Sequence, residues 1–209
     1  MSPHELQVIK VGPLGPFDNN AYLIIDPVSN ESVIVDAPPG GERLLEVARQ
    51  THVSRIIVTH GHGDHWAAID TLRSATGAPV YCHEADREPH AGKVDGTLAG
   101  GEEVAIGGGG LRVIHTPGHT PGSICLLTGR YLIAGDTLFP GGPGHSDRPE
   151  DLQQEIHSIV ERLFVLPDET VVYPGHGDDS TIGRSKREYA DFASREHPAD
   201  LCGDVLWEQ

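Results

Sequence analysis

The sequence predicts an α/β (α+β) fold in which helices flank a sheet. Short apolar runs of strand length alternate along the chain with segments whose apolar residues recur at helical spacing. The 26 glycines and 16 prolines indicate many tight loops between these segments. With 209 residues and no low-complexity boundary, the chain has the length of a single domain, which we expect to span residues 1–209.

The first half of the chain contains four predicted strands and two predicted helices. The strands are short apolar runs, and the third of them ends directly on a histidine. The second helix is expected to stop at Gly77, a residue type that favours helix C-termini. In chain order we predict strands 21–26 and 32–36, helix 42–50, strand 55–59, helix 66–74 and strand 79–82.

The second half continues the alternation without repeating the sequence. Three strands are predicted before a long amphipathic helix, whose apolar residues Leu152, Ile156 and Leu163 share one face. A last strand and a last helix follow. In chain order we predict strands 111–114, 123–127 and 131–134, helix 151–166, strand 169–173 and helix 186–195.

Composition excludes several classes of function. The 31 acidic residues against 15 Lys and Arg give a net charge of −16, which repels phosphate backbones and anionic membranes, so we expect neither as a partner. The cysteines Cys82, Cys125 and Cys202 are too widely spaced for a disulfide framework or a cysteine-rich zinc module. The N-terminus lacks a signal-peptide pattern and no apolar run reaches membrane-spanning length, so we predict a cytoplasmic protein.

The segment HGHGDH at residues 60–65 is the strongest chemical signal. In an extended loop, residues two apart face the same way, so His60 and His62 would present their rings to one point. Asp64 and His65 lie where the chain turns into the next predicted helix and would serve a second point. We expect the two intervening glycines to supply the φ values of a tight wrap. Imidazole and carboxylate ligands favour Zn²⁺ or Fe²⁺ over Mg²⁺ or Ca²⁺.

Three later segments each place one metal-type residue just after a predicted strand. They are TPGHTPGS with His119, GDTLF with Asp136, and PGHG with His176. A single loop histidine or strand-end aspartate is more often structural than ligating. Five histidines and two aspartates at the ends of apolar strands make a metal site the better interpretation.

In this order, the four motifs resemble the metallo-β-lactamase superfamily, and within it the glyoxalase II (hydroxyacylglutathione hydrolase)-like group. The resemblance runs from about residue 20 to about residue 187. It implies an αββα sandwich of two similar halves with the metals at one edge. It also implies two divalent metal ions, zinc being the first expectation, with iron or manganese also accepted by this ligand set. The implied ligands are His60, His62 and His119 for one metal, Asp64, His65 and His176 for the other, and Asp136 as the bridge.

The activity implied by the resemblance is hydrolysis of an acyl thioester of a small thiol by a metal-bound hydroxide. Asp64 and Asp136 are the predicted catalytic residues, since both are ligands and Asp64 can also orient the hydroxide. Two alternatives within the same fold are a lactonase and a mono-iron persulfide dioxygenase. The partner is predicted to be a small molecule, and the sequence does not indicate an oligomeric state.

Substrate-binding residues are predicted from the same resemblance. His145 lies near the position where glyoxalase II enzymes place a basic residue for the carboxylate of the thiol. Arg184, Lys186 and Arg187 offer further cations. Only 33 residues follow His176, too few for the helical domain that holds glutathione in the well-known enzymes. An excess of Arg over Lys indicates a GC-rich genome, so a mycothiol thioester is a candidate beside a glutathione thioester.

The remaining histidines receive less specific predictions. His115 is expected to support the His119 loop, with Asp36 in a similar role, because metal-bound imidazoles need an oriented surround. His83 is expected to be a structural loop residue. Five others are expected to face solvent: His4, His52, His90, His157 and His197.

Overall fold

The computed structural model describes residues 4–207 and contains two six-stranded sheets and a two-stranded hairpin. In the first sheet the strands follow chain order; the first three are antiparallel and the rest parallel. This sheet consists of β1 (Gln7–Leu14), β2 (Asn19–Ile25), β3 (Glu31–Val35), β4 (His52–Ile57), β5 (Val80–His83) and β6 (Gly96–Leu98).

The second sheet has the strand order β14-β13-β10-β9-β8-β7. Its one parallel pair is β10 with β13, and the other neighbours are antiparallel. The strands are β7 (Glu103–Ile106), β8 (Gly109–His115), β9 (Ile124–Thr128), β10 (Tyr131–Gly135), β13 (Val171–Pro174) and β14 (Ser180–Thr181). The hairpin pairs β11 (Leu138–Phe139) with β12 (Gly142–Pro143).

Three apolar layers hold these sheets between helices. The inner faces of the two sheets bury one shared cluster, to which Ile24 and Ile57 contribute from the first sheet and Leu111 and Ile133 from the second. Helices α1 (Leu44–Val47) and α2 (Ile69–Thr76) cover the outside of the first sheet. Helices α3 (Pro149–Ser158) and α4 (Ile182–Ala193) cover the outside of the second. The predicted αββα sandwich is confirmed.

Several element boundaries differ from the predictions. Six strands were not predicted. Strand β1 is half-exposed and contains Gly12-Pro13, and the other five have only two to four residues each: β6, β7, β11, β12 and β14. The predicted helix 42–50 is wrong in extent. A 3₁₀ turn at Gly41–Arg43 leads into the single turn of α1, and hydrogen bonds from Thr51 to the Ala48 carbonyl then close the segment.

The other helices begin or end away from the predicted residues. Helix α2 starts three residues later than predicted and ends at Gly77, which has the left-handed φ of +70°. The predicted helix 151–166 is α3 followed by a π-helical turn at Ile159–Leu163. Helix α4 starts four residues earlier than predicted, because the Thr181 side chain accepts a hydrogen bond from the Arg184 backbone N–H and caps it. Within residues 4–207, none of the helices has the length and apolarity needed to cross a membrane.

Candidate metal centre

The seven predicted ligands lie on four loops at one edge of the sandwich. The segment 60–65 follows β4, and His119 lies in the loop between β8 and β9. Asp136 directly follows β10, and His176 follows β13. Since β10 and β13 are parallel neighbours, their carboxyl ends meet, and Gly175 donates its N–H to the Gly135 carbonyl at 2.8 Å. The topology therefore brings residues far apart in sequence to one place.

The donor atoms of these residues form three overlapping groups, each with its atoms within 4.8 Å of one another. In the first group, Nδ1 of His62 and Nε2 of His119 are 2.8 Å apart. In the group on the other side, Nε2 of His65 and Nε2 of His176 are 3.2 Å apart. The groups are His60, His62 and His119; Asp64, His65 and His176; and His60, His65 and Asp136.

Asp136 lies between the two outer groups. Its Oδ2 is 3.7 Å from Nε2 of His119 and 3.2 Å from Nε2 of His176. The same oxygen is 3.9 Å from Nε2 of His60, and Oδ1 is 3.4 Å from Nε2 of His65. One carboxylate is thus within reach of a cation in either outer group.

The cluster fits a metal centre better than a hydrogen-bonded network. Within the described part of the chain, Nε2 of His60 and Oδ1 of Asp136 are buried without a hydrogen-bond partner. Buried polar atoms left unpaired cost about 1–3 kcal/mol each, so their retention indicates a ligand that would satisfy them. Neutral imidazole nitrogens and carboxylate oxygens converging on one point are the donor set of zinc, iron and manganese sites.

Four of the five histidines have the ring nitrogen remote from the cluster fixed by a hydrogen bond. Nδ1 of His65 donates to Asp36 at 3.0 Å, Nδ1 of His119 to the His145 carbonyl at 2.8 Å, and Nδ1 of His176 to the Phe17 carbonyl at 2.7 Å. Nδ1 of His60 lies 3.1 Å from the Thr59 hydroxyl. Such contacts fix the ring orientation and leave Nε2 of each ring directed at the cluster.

Burial and neighbouring charges move the protonation equilibria of the cluster in opposite directions. Burial lowers the pKa of His60 and of His119, which favours the neutral, ligating form. Burial also acts to lower the pKa of His65, but Asp36 and Asp136 overcome it and raise that pKa to about 9. Burial also acts to lower the pKa of His176, but hydrogen bonds to Asp136 and Asp64 overcome it and raise that pKa to about 10.

Asp36 supports the cluster, as predicted, from the end of β3. It has a φ of +63°, a conformation that aspartate tolerates better than most residues. This turn directs its carboxylate to the Thr59 N–H at 2.8 Å, the Thr59 hydroxyl at 3.0 Å and the His65 ring. Thr59, the residue before the HGHGDH segment, and the predicted ligand His65 within it are therefore held by the same carboxylate.

Asp86 is a supporting residue that the sequence analysis missed. Its side chain is buried and accepts hydrogen bonds from the Gly61 N–H and the Gly122 N–H, both at 2.8 Å, and from the Thr120 hydroxyl at 2.6 Å. Gly61 lies in the HGHGDH loop, and the other two donors lie in the His119 loop. Asp86 therefore joins the two loops that carry the first ligand group. Only its place shortly after a predicted strand could have suggested this.

Trp66 and His90 hold the HGHGDH loop from another side. The Trp66 indole N–H donates to the His60 carbonyl at 2.8 Å, and Nε2 of His90 donates to the Gly61 carbonyl at 2.8 Å. The two rings stack with centroids 4.0 Å apart. The prediction that His90 faces solvent is wrong, because this stacking leaves it half-buried.

Asn19 is a further residue that the motifs did not indicate, and it contacts a predicted ligand directly. It is fully buried, and its side-chain N–H donates to Oδ2 of Asp64 at 2.8 Å. Burial acts to raise the pKa of Asp64, but hydrogen bonds from His176 and Asn19 overcome it and hold that pKa well below its usual range. The pair of asparagines just before β2's apolar run was the available signal.

The prediction that the two glycines of the HGHGDH loop supply unusual φ values is wrong. Neither Gly61 nor Gly63 is among the glycines with positive φ, because the loop is extended at His62 and then forms a 3₁₀ turn. Close approach matters instead at Gly175, where a Cβ would lie 2.0 Å from Oδ1 of Asp136 and 2.8 Å from the His65 ring. Glycine at that position lets the His176 loop pass beside the cluster.

The other histidines lie as follows. His115 supports the His119 loop as predicted, since its Nε2 donates to the Pro121 carbonyl at 2.9 Å, and it stacks on His83 with centroids 3.9 Å apart. His4 is half-buried rather than solvent-facing, because it pairs with Asp26 at 2.9 Å. The three exposed as predicted are His52, His157 and His197.

The predicted substrate-binding residues are placed differently from one another. His145 lies beside the cluster, with Nδ1 2.9 Å from Asp204, a hydrogen bond that raises its pKa. Arg184 pairs with Glu188, whose other oxygen accepts from the Gly141 N–H of the β11–β12 hairpin. Lys186 pairs with Asp168 at 2.6 Å, just before β13 and thus at the end of that strand remote from His176. Arg187 is exposed on α4.

A pocket of about 320 Å³ opens beside the cluster. On one side it is bounded by His119, Asp136 and His176. On the other side it is bounded by the β11–β12 hairpin and by residues 204–206, here called the C-terminal segment. Clefts of about 490 and 720 Å³ lie around residues 4–6, and none of the seven predicted ligands borders either of them. Among these three, the pocket with access to the donor cluster is the candidate substrate site.

Comparison with known proteins agrees with this architecture. An uncharacterised protein of Aquifex aeolicus is 35% identical over 205 residues, covering 89% of this chain and 97% of its own. Hydroxyacylglutathione hydrolase GloC of Haemophilus influenzae is 32% identical, covering 86% of this chain and 95% of its own.

Solved structures are similar over most of the chain. ETHE1 from Myxococcus xanthus superposes with a TM-score of 0.78 at 29% identity, over 90% of this chain and 86% of that one. TTHA1623 in a di-iron-bound form superposes with a TM-score of 0.74 at 32% identity, over 86% of this chain and 97% of that one. The family model of the metallo-β-lactamase superfamily matches residues 14–176, which include all seven predicted ligands. The chain belongs to the metallo-β-lactamase superfamily.

Proposed function

We propose that this protein is a dinuclear metal-dependent hydrolase that cleaves an acyl thioester of a small thiol. The observation that carries the proposal is the arrangement of six donor residues in two groups around a seventh, Asp136, with a pocket of about 320 Å³ beside them. A structural metal site uses all its ligands and is closed, whereas a catalytic one leaves an open position. The similarity to hydroxyacylglutathione hydrolase GloC supports a thioester as the substrate.

In this proposal, one metal ion would be held by His60, His62 and His119 and the second by Asp64, His65 and His176, with Asp136 within reach of both. Two bound divalent ions would lower the pKa of a water and polarise an acyl carbonyl. Zinc is the metal we propose, and the same donors also suit iron or manganese. The di-iron form of the similar TTHA1623 structure supports a centre of two ions rather than one.

The chain's own residues supply orientation. Asp64 is fixed by Asn19 at 2.8 Å and lies 3.3 Å from Nε2 of His176, so its carboxylate can accept a hydrogen bond from the attacking water and aim it. The pocket next to Asp136 would hold the thioester with its carbonyl carbon toward the cluster, since His119, Asp136 and His176 border it. Water adds to that carbon, the C–S bond breaks, and a carboxylic acid and a thiol are released. A thiolate is a good leaving group, so a separate general acid is not required.

A substrate panel tests the proposal. Metal-loaded protein is assayed with lactoylglutathione, an acyl-mycothiol, a homoserine lactone and glutathione persulfide. We expect thioester cleavage, and we expect Asp136→Ala to lower kcat/KM by at least about a thousandfold, since both groups lose their shared ligand.

Two results would contradict the proposal. Persulfide-dependent oxygen uptake by protein with one iron and no thioester cleavage would indicate a dioxygenase. Cleavage of the lactone alone would indicate a lactonase. Asp95→Asn, on the β5–β6 connection, is the control for nonspecific effects of substitution on folding.

A further inference from the structure

The pocket beside the metal centre has an apolar wall formed by two segments. The β11–β12 hairpin contributes Phe139 and Pro143, and the C-terminal segment contributes Val205 and Leu206. Leu206 is 55% exposed and gives this wall an accessible apolar surface. The segment is fixed there, since the Trp207 N–H donates to the Gly141 carbonyl at 2.7 Å.

The end of this pocket that is bordered by His145 and Asp204 has a net negative charge. His145 lies between Asp204, at 2.9 Å, and Asp147, at 3.4 Å, and both carboxylates are almost fully exposed. Even with the imidazole protonated, two carboxylates against one cation leave a net negative charge. Among the described residues that border the pocket, none is lysine or arginine.

The arginines around this end of the pocket already have partners. Arg195, which borders a neighbouring cleft together with Asp204, donates to the carbonyls of Asp191 and Trp207. Arg148 makes two hydrogen bonds of 2.8 Å to Asp151, and Arg184 pairs with the buried Glu188. Recruiting either guanidinium to a substrate carboxylate would break an existing ion pair. The described residues that border the pocket therefore offer an anionic substituent no lysine or arginine.

On the basis of the proposed thioester hydrolysis, we propose that this pocket selects thioesters whose thiol portion is uncharged or cationic, and that Asp204 and Asp147 are its specificity-determining residues. A substrate carboxylate beside this pair meets a net negative charge several ångströms away. An ammonium, hydroxyl or amide group instead finds a carboxylate oxygen to which it can donate a hydrogen bond. The apolar wall accommodates the uncharged remainder of the thiol.

Two substrates with the same skeleton and opposite charge test this inference. S-lactoylglutathione has one net negative charge, and its diethyl ester has one net positive charge. We expect kcat/KM of the metal-loaded protein to be about tenfold higher for the ester at low ionic strength, mainly through KM. The preference should shrink about threefold in 0.5 M salt, because exposed charges are screened.

Variants identify the residues responsible. Asp204→Asn should raise kcat/KM for the acid about threefold and lower it for the diethyl ester by a similar factor. Asp147→Asn should act in the same directions more weakly, since Asp204 borders the pocket and Asp147 lies behind His145, outside its lining. The matched control is Glu169→Gln, an exposed carboxylate just before β13 and thus at the opposite end of the strand that leads to His176. It should leave the ester-to-acid ratio as in the wild type.

A binding measurement separates this inference from the proposed function. S-propylglutathione and its diethyl ester are uncleavable thioethers, whose affinities are measured by calorimetry with metal-loaded and metal-free protein. Tighter binding of the ester than of the acid, weakened by Asp204→Asn, supports the inference even if no thioester is cleaved. Absence of thioester cleavage would contradict only the proposed function. Equal or tighter binding of the acid, or equal effects of Asp204→Asn on both ligands, would overturn the inference.

Discussion

Asp86 joins the two loops that carry His60, His62 and His119. Replacing Asp86 with asparagine tests how much its hydrogen bonds to these loops contribute to stability and to metal affinity. The carboxylate accepts three hydrogen bonds of 2.6–2.8 Å while 5% exposed. An asparagine retains one acceptor oxygen and turns an N–H₂ group toward at least one of the donors. Hydrogen bonds to charged groups contribute about 1.5–3 kcal/mol each, and an unpaired buried donor adds a penalty.

We therefore expect Asp86→Asn to lower the free energy of unfolding by about 3 kcal/mol, equivalent to a fall in Tm of about 6–12 °C for a chain of this size. Because the substitution loosens the loops that carry His60, His62 and His119, metal affinity should fall about 10- to 100-fold, as is usual for outer-shell partners of ligands. Urea unfolding gives the first quantity, and competition with a fluorescent chelator gives the second.

Asp95→Asn is the matched control for this experiment. Asp95 also accepts from a backbone N–H, that of Val80 at 2.8 Å, and pairs with Arg73 at 2.6 Å. Val80 is the first residue of β5, at the end of the strand remote from Asp86. Asp95→Asn should lower stability and leave metal affinity at the wild-type value. Equal metal affinities for wild type and Asp86→Asn, at any loss of stability, would refute the reasoning.

Three further predictions concern other parts of the centre. Asn19→Ala removes the hydrogen bond to Asp64 and should lower kcat/KM for lactoylglutathione about tenfold; an unchanged value would show that Asp64 needs no such partner. Burial raises the pKa of Glu155 from 4.5 to about 9, so the folded chain holds a proton that the unfolded chain releases. The contribution of Glu155 to the free energy of unfolding is therefore complete below pH 4.5 and falls as the pH rises toward 9. Between pH 6 and 8.5, the free energy of unfolding in urea should fall less steeply for Glu155→Gln than for the wild type. Parallel curves of the two proteins against pH would count against this prediction. Chelation of bound metal should lower Tm by about 5–10 °C, since a ligand at about a hundred times its Kd adds roughly 2.7 kcal/mol; an unchanged Tm would contradict a buried metal centre.

The sandwich could be predicted through the resemblance that the four motifs carry, and the cluster through the residue types within those motifs. Predicted strand runs such as 55–59 end directly on predicted ligands, so the motifs and the elements support each other. The short strands β6 and β7 were not predicted, because an apolar pattern over three or four residues does not distinguish a strand from a loop. Helix α1 was overestimated because apolar spacing alone does not show where tertiary hydrogen bonds close a turn.

The supporting residues were the part that sequence reasoning could not supply. Asp86 and His90 are ordinary loop residues until the fold places them against Gly61, since the contact depends on three-dimensional approach rather than spacing. Asp204 is a similar case, because it reaches His145 across 59 positions of the chain. Motif residues can be recognised from their order in the sequence. The residues that hydrogen-bond to them depend on how the folded chain packs.

The metal content of the purified, reconstituted protein tests the central claim most directly. Elemental analysis should give two ions per chain for the wild type, and about one for His62→Ala and for His176→Ala, because each variant disrupts only one outer group of donors. A single ion per chain in the wild type, unaffected by His176→Ala, would contradict a dinuclear centre.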